Sequence, residues 1–572
     1  MAKISWCLLL LLGWCSARGA QEIYAAYRRD LPAGAAYALD AHRLRPTQLS
    51  LGWREVAAKR DELSAKTPAE ITDYLKKKNV PVVIGPDGAP YMTDGHHTLR
   101  ALLESSAADK TAYGHVLANW SELSADEFWR RMSAEHYVYL KDVSGREQPP
   151  AALPTDLFGL HLDPYRSLTW ALMKAGGFDE RKGVFFQEFL WADFLRDKVW
   201  WNDADDAAFA QAVRIAGALA SAPSAAALPG YRPVVRPAEV GGFAPVSPNA
   251  LRPAVVSEPT RHDTDDPAIW VNPDNPAQSL VVGTDKHSDG ALYVYDLAGK
   301  IVHVVRGLAR PNNVDVGYGL RLGDQVADIA VITERERQRL RVFRLPRMES
   351  LDGGDLVVFG GDRDRAPMGV ALYRRPRDGA MFVIVGGKSG PAEGYLAQYR
   401  LEDDGAGRVK LSFVREFGRY SGKKEIEAIA VDPELGYIYY SDETFGVRKY
   451  HADPDAAGAN EELAVFATAG FVGDHEGISL YRRADGTGYI IVSDQQANRF
   501  WVFPREGLAG RPHAHPAVGW FEVAAVESDG SDVTSADLGP AFPHGLFVAM
   551  SNGRVFHFYP WETIAARIGA HR

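Results

Sequence analysis

The chain has 572 residues, with 64 Lys and Arg against 74 Asp and Glu, a formal charge of −10. An acidic balance argues against a coat for nucleic acid, and 46% hydrophobic with 24% charged residues excludes disorder, collagen and coiled coil. The length predicts two or more domains.

Residues 1–20, MAKISWCLLLLLGWCSARGA, combine Lys3, an apolar run to Trp14 and small residues at Ala17, Gly19 and Ala20. This pattern predicts a secretory signal peptide, with an uncleaved anchor as the alternative. Lipidation at Cys15 is disfavoured by the bulky Trp14 before it. Both cysteines, Cys7 and Cys15, lie in this stretch, so cleavage leaves a chain with neither disulfides nor thiolate metal ligands. No other run is long enough to span a bilayer, so the expected location is the periplasm or the medium.

Residues 21–218 are expected to form a helix-rich α+β domain. Apolar residues recur at helical spacing over 51–78, 122–137 and 165–197, and PVVIG at 81–85 reads as one strand. The turn after it carries Asp94, Gly95, His96, His97 and Arg100, backbone amides and cations of the kind that hold a phosphate at a helix start. His115, His161 and Asp163 are further candidates to join His96 or His97 in a metal group. Residues 219–255 mix Ala, Pro, Gly and Ser without period and read as a linker.

From 256 to 572 one unit recurs: strand, polar turn, aromatic strand. Its copies turn near Asp285, Glu334, Lys388, Asp442, Asp494 and Asn552, which are 49 to 58 residues apart. That period predicts a six-bladed propeller, with a pair of β-sandwiches as the alternative. Carboxylates cluster at Asp263, Asp265 and Asp266, at Glu425 and Glu427, at Asp442 and Glu443, at Asp474 and Glu476, and at Asp529 and Asp532. Oxygen donors without thiolate favour a hard cation, Ca²⁺ before Mg²⁺. Lys286, Arg335 and Lys388 follow the strands of the first three copies and suit phosphate oxygens.

The segments DDPAIWVNPDNP, TDKHSDGALYVYDLAGK, NNVDV, EIEAIAVDPELGYIYYSDE, DHEGISLY, SDGSDV and PWETIAARIG resemble the β-propeller phytases over residues 255–572. The resemblance implies a calcium-dependent phosphomonoesterase acting on phytate. It implies that Asp265, Glu427, Asp474, Glu476 and Asp529 hold active-site calcium, and that Asp266 with the carbonyls of Pro267 and Val314 holds a structural ion. It further implies that Lys286, Arg335 and Lys388 grip substrate phosphates, with Glu443 beside a neighbouring phosphate pocket. The chain departs from the family at Met368, where a tyrosine is expected, at Ser389 in place of an acid, and at His287 in place of a second lysine. The alternatives are therefore a calcium-binding propeller, without turnover or with an altered substrate, that captures phosphorylated polyanions, and a phosphodiesterase or nuclease activity in the N-terminal domain.

Residues 40–200, through LRPTQLSLGWREVAAKRDEL, DGHHTLRAL, DPYRSLTWAL and FQEFLWADFL, resemble ParB-like nuclease domains of the ParB and sulfiredoxin fold. That resemblance implies a nucleotide-phosphate site at Asp94 to Arg100 and makes nucleic acid a possible partner of this domain alone. Sulfiredoxin chemistry needs a cysteine in this turn, and there is none. Nothing in the sequence points to an obligate oligomer.

Overall fold

The computed structural model describes residues 24–181, 183–233 and 246–568, so the signal-peptide reading of 1–20 lies outside the described residues. The chain divides into two compact units at Ser167/Leu168. The ParB-like text crosses this division, because the helix Pro164–Lys174 runs through it.

The first unit is built on a mixed six-stranded sheet, whereas the sequence showed one strand. Its other strands are short or amphipathic. Ala36–Asp40 runs antiparallel to Thr111–Asn119, which pairs in parallel with Val80–Ile84, the strand read from PVVIG. The helical pattern over 51–78 becomes two helices, α1 (Trp53–Ser64) and α2 (Pro68–Lys78). Thr67 separates them by forming a capping box with Glu70, and Pro68 occupies the first helical position, where its missing N–H has no cost. The pattern over 165–197 likewise splits into Pro164–Lys174 and Gln187–Leu195. Helix α3 (His96–Glu104) packs Leu99 and Leu102 against Val80, Val82 and Val116 of the sheet.

The second unit contains a propeller of six sheets. The first strands of the blades are Thr264–Trp270, Pro311–Leu322, Pro367–Arg374, Ile429–Asp432, His475–Arg482 and Ser531–Thr534. Each touches the first strand of the next blade, and the last touches the first, so these strands surround the axis. The recurring unit of the sequence is the hairpin of second and third strands, as in Leu280–Asp285 with Gly290–Tyr295. The ring closes because Val255–Val256 adds to Val555–Pro560 as the outermost strand of the sixth blade. Of the stretch read as linker, residues 219–221 end the helix Asp206–Ser221, and Val255 already belongs to this closing strand.

The core lies between blades. Ala268, Trp270, Val282 and Val294 of the first blade pack on Val314, Ile332 and Phe343 of the second. The sixth blade packs Val548, Phe556 and Phe558 on Val281, Tyr293 and Tyr295 of the first. Every sheet thus buries both faces against neighbours, which stabilises the propeller without a cysteine.

Candidate functional site

In each blade the first strand begins where the second strand ends, because the two are antiparallel. The register pairs Thr264 with Asp285, Pro311 with Glu334, Pro367 with Gly387 and His475 with Asp494. In all four pairs a β-bulge follows at once. A bulge re-aims side chains, and in these four blades it takes two residues of the first strand out of the ladder. Two residues before the next paired position stand Asp265, Asn312, Met368 and Glu476. Glu427 and Asp529 hold the equivalent place before Ile429 and Ser531. Six residues distant in sequence thereby form one ring, and Met368 is its apolar member.

Close approach of these strands depends on glycine. A Cβ on Gly369 would lie 1.7 Å from the carbonyl oxygen of Glu427, and one on Gly530 would lie 2.3 Å from Asp266 Oδ1. No other residue lets blade 3 meet blade 4, or blade 6 meet blade 1, at that distance.

A second ring comes from the residues after the second strands. The strand-ending acids Asp285, Glu334, Asp442 and Asp494 are buried and structural. Asp285 accepts the His262 and Asp263 N–H groups, and Asp442 accepts from Ser421 and pairs with Arg448. Glu334 pairs with Arg337 and Arg339, and Asp494 with Arg499. Their chain successors are Lys286, Arg335, Glu443 and Gln495, and Lys388 follows Gly387 at the equivalent place in the third blade. Asp442, grouped with Glu443 in the sequence, is therefore a clamp within its blade.

Lys286 Nζ donates to Asp265 Oδ1 at 2.6 Å and Asp529 Oδ2 at 2.9 Å. Lys388 pairs with Glu425. Lys424 bridges Glu443, Asp474 and Glu476. Asn312 Nδ2 donates to Glu427 Oε1 at 2.5 Å, and Gln496 Nε2 to Asp474 Oδ2 at 2.8 Å. Oxygens of Glu425, Glu427 and Glu443 lie within 4.8 Å of one another, as do those of Glu443, Asp474 and Glu476. Asp265 Oδ2, Glu443 Oε1 and Glu476 Oε2 are buried without a hydrogen-bond partner among the described residues.

Burial, with Lys286 opposing and Glu427 and Asp529 adding, holds the Asp265 carboxyl well above its usual range. Burial pushes Glu427 up to about 7 and Glu443 up to about 8. It also raises Glu476, which Glu443 and Glu427 push further. Burial works against the Lys286 charge, but Asp265, Asp529 and Glu427 outweigh it and raise its ammonium. Arg335 is lowered by burial and by the adjacent Arg310, and neither guanidinium has an ion pair among the described residues. Arg310 Nε is itself buried without a hydrogen-bond partner.

Asp266, Pro267 and Val314 line a cavity of about 480 Å³ along the axis, together with Asp315 and Asp532. Asp266 Oδ2 accepts the Val314 N–H at 3.1 Å. Met368 is buried and its carbonyl accepts from Thr333 Oγ1, Ser389 donates to the Asp364 carbonyl, and His287 stacks on His262.

In the first unit the Gly95 turn is tightly committed. Gly95 has φ +90 and its N–H meets Asp94 Oδ1 at 2.6 Å, while Lys78 pairs with Asp94. His96 Nε2 accepts the Thr47 N–H and His97 Nε2 the Gly52 N–H. Burial holds both imidazoles well below the usual histidine range. Arg100 pairs with Glu104, donates to the Leu157 carbonyl and lies over Phe158. His115 bonds Asn79, His161 is exposed and Asp163 receives the Tyr165 N–H. Among the described residues no metal-competent group includes these histidines, so the candidates His115, His161 and Asp163 form no such group with His96 or His97.

Residues 216–569 match the model of the phytase family. The chain belongs to the phytase family. The chain is 31% identical to the 3-phytase of Bacillus subtilis (strain 168) over 334 residues, which are 53% of this chain and 81% of that protein. Residues 37–197 match the model of ParB-like nucleases. A protein of Agrobacterium tumefaciens known from its crystal structure shares 34% identity, covering 36% of this chain and 100% of its own, at a TM-score of 0.32. The chain is thus a hydrolase of the phosphatase type on a six-bladed propeller, preceded by a ParB-like region. Among its described residues no helix is long and apolar enough to cross a membrane.

Sequence reasoning missed Lys424 and Arg310. Lys424 stands in a KKE run that reads as a solvated turn, and Arg310 stands before Pro311 at a strand start. Arg310 comes to the rim through the pairing of Pro311 with Glu334, and Lys424 through the loop that enters the fourth blade, and no periodicity displays either.

Proposed function

We propose that this chain is an exported, calcium-dependent phosphomonoesterase that releases phosphate from phytate. The observation that carries the reading is the meeting, at one rim, of buried carboxylate oxygens without a hydrogen-bond partner and two guanidinium groups without an ion pair among the described residues. The donor set fits a hard divalent cation, being all oxygen and drawn from several strands. Asp265, Glu427 and Asp529 would hold calcium at the rim, beside Asp474 and Glu476, which already face Lys424, and Asp266 with the Pro267 and Val314 carbonyls a structural ion in the axial cavity. Calcium bound there would polarise phosphoryl oxygens and activate water for in-line attack.

The chain's own residues supply orientation and charge. Lys286, Arg335 and Lys388 reach phosphate oxygens as charged donors, with Arg310 behind Arg335. Glu443, between the two acid triads, borders a second phosphate position. The buried strand starts exclude bulk water and so strengthen each of these interactions. No covalent phospho-enzyme is required. Export is supported by the apolar stretch ending near Trp14.

The test is phosphate release from phytate by the full chain, with calcium or with EDTA, beside Asp265→Ala and Arg335→Ala. Release that needs calcium and is lost in both variants supports the reading. Calcium-raised thermal stability without any release would favour a propeller that captures phosphorylated polyanions. No nuclease role is proposed for the ParB-like unit, because the Nε2 atoms of His96 and His97 already accept backbone N–H groups.

A further inference from the structure

Lys424 stands on the loop that enters blade 4, three residues before Glu427. Its Nζ is 2.7 Å from Glu443 Oε2, 2.8 Å from Asp474 Oδ2 and 3.4 Å from Glu476 Oε1. These are the three acids that bring one oxygen each within 4.8 Å of one another. Glu443 is fully buried and Glu476 nearly so, and Glu443 Oε1 and Glu476 Oε2 have no hydrogen-bond partner among the described residues. The lysine has the most open side, with its side chain 39% exposed against 17% for Asp474. An ammonium carries three N–H donors on a flexible stem, which suits three converging carboxylates.

Calcium draws its oxygen ligands to about 2.3–2.6 Å. An ion at that distance from these three oxygens would occupy the volume in which the Lys424 nitrogen sits. The triad therefore holds either the lysine or a metal ion. The neighbouring triad of Glu425, Glu427 and Glu443 shares one acid with it and has Lys388 against Glu425 at its edge.

We propose that the Lys424 ammonium takes the place of one divalent cation at the Glu443, Asp474 and Glu476 triad, so that this chain binds one calcium ion fewer than its rim acids could hold. The inference rests on the calcium reading of the rim. Arginine at 424 preserves the charge, whereas methionine or glutamine leaves the triad open to a metal.

The test uses the full chain stripped with EDTA and then dialysed against calcium, with bound metal counted and the thermal midpoint recorded. Lys424→Met and Lys424→Gln are each expected to bind one more calcium per chain than wild type and to gain a larger calcium-induced rise in midpoint. Lys424→Arg is expected to keep the wild-type count. Circular dichroism establishes that the variants are folded, and the two neutral variants serve as checks on each other. Wild type that binds calcium while folded neutral variants gain none overturns the role of Lys424 and leaves the proposed function standing. Wild type and variants that all bind no calcium overturn both.

Discussion

Lys286→Met keeps the length of the side chain and removes its charge. The ammonium bridges Asp265 Oδ1 at 2.6 Å and Asp529 Oδ2 at 2.9 Å. Asp265 is sealed at 1% side-chain exposure, while Asp529 is 20% exposed and can turn to water. Stranding a buried charge costs about 3–5 kcal/mol, and because one partner can be rehydrated the lower end applies here, about 3 kcal/mol. In a unit of this size each kcal/mol moves the midpoint by roughly 2 °C, so the variant in EDTA melts about 6 °C below wild type. Calcium is expected to restore most of that loss by supplying the missing charge to the same carboxylates. It is not expected to restore phosphate release, because the hydrogen bond from the ammonium to the substrate is gone. Differential scanning calorimetry in EDTA and in calcium, beside phosphate release from phytate, separates the two effects. An unchanged midpoint in EDTA would refute the bridging role, and recovered turnover in calcium would refute the substrate contact.

One further substitution and one change of pH reach the site and the first unit by other routes. Gly369→Ala places a methyl group 1.7 Å from the Glu427 carbonyl oxygen, which must force the third and fourth blades apart. A loss of about 2–3 kcal/mol in a denaturant titration and weaker calcium binding are expected; an alanine variant with both unchanged would show that the strands do not need this approach. In the first unit, His96 is held down to about 3 and His97 well below its usual range, chiefly by burial. Folding then keeps both neutral while the unfolded chain protonates them below its ordinary value of about 6.5. The stability they contribute is complete above that value and falls by about 1.4 kcal/mol per pH unit for each histidine as the pH drops toward 3. Hydrogen exchange at the Thr47 and Gly52 amides between pH 7 and 4 follows this directly, and exchange protection independent of pH would contradict it.

The propeller was legible because its second and third strands are regular. VVGTDKHSDGALYVYDL and IIVSDQQANRFWVFP each print two strands and a turn, and the six copies are the six blades. The first strands hardly show, since the bulges at Asp265 and Glu476 break their alternation. Acids were visible as clusters, but their division of labour was not. Asp442 and Glu443 are neighbours in sequence, yet one grips Arg448 inside its blade and the other meets Lys424 at the rim. In the first unit the sheet was nearly invisible, because Arg45–Pro46, Ala25–Ala26 and Pro90–Met92 are too short to carry a period of two.

The order of charges around the axis gives the rim a direction. Among the six ring residues, the four acids come from blades 4, 5, 6 and 1, which are consecutive around the axis, whereas blades 2 and 3 supply Asn312 and Met368. The residues that follow the second strands run the opposite way, with Lys286, Arg335 and Lys388 on blades 1, 2 and 3 and Glu443 on blade 4. One arc therefore attracts cations and the other attracts anions. They overlap at blade 1, where Lys286 lies against Asp265. A metal-assisted phosphate transfer needs that polarity, because a polyanion can enter an acidic protein only where metal covers the carboxylates and free cations face the substrate. The neutral side chains at blades 2 and 3 add no carboxylate of their own to the arc of cations, where Lys388 already faces Glu425, which gives the departures at Met368 and Ser389 a place in the same scheme. Neither adds a negative group beside the phosphates, and the direction of the rim survives both.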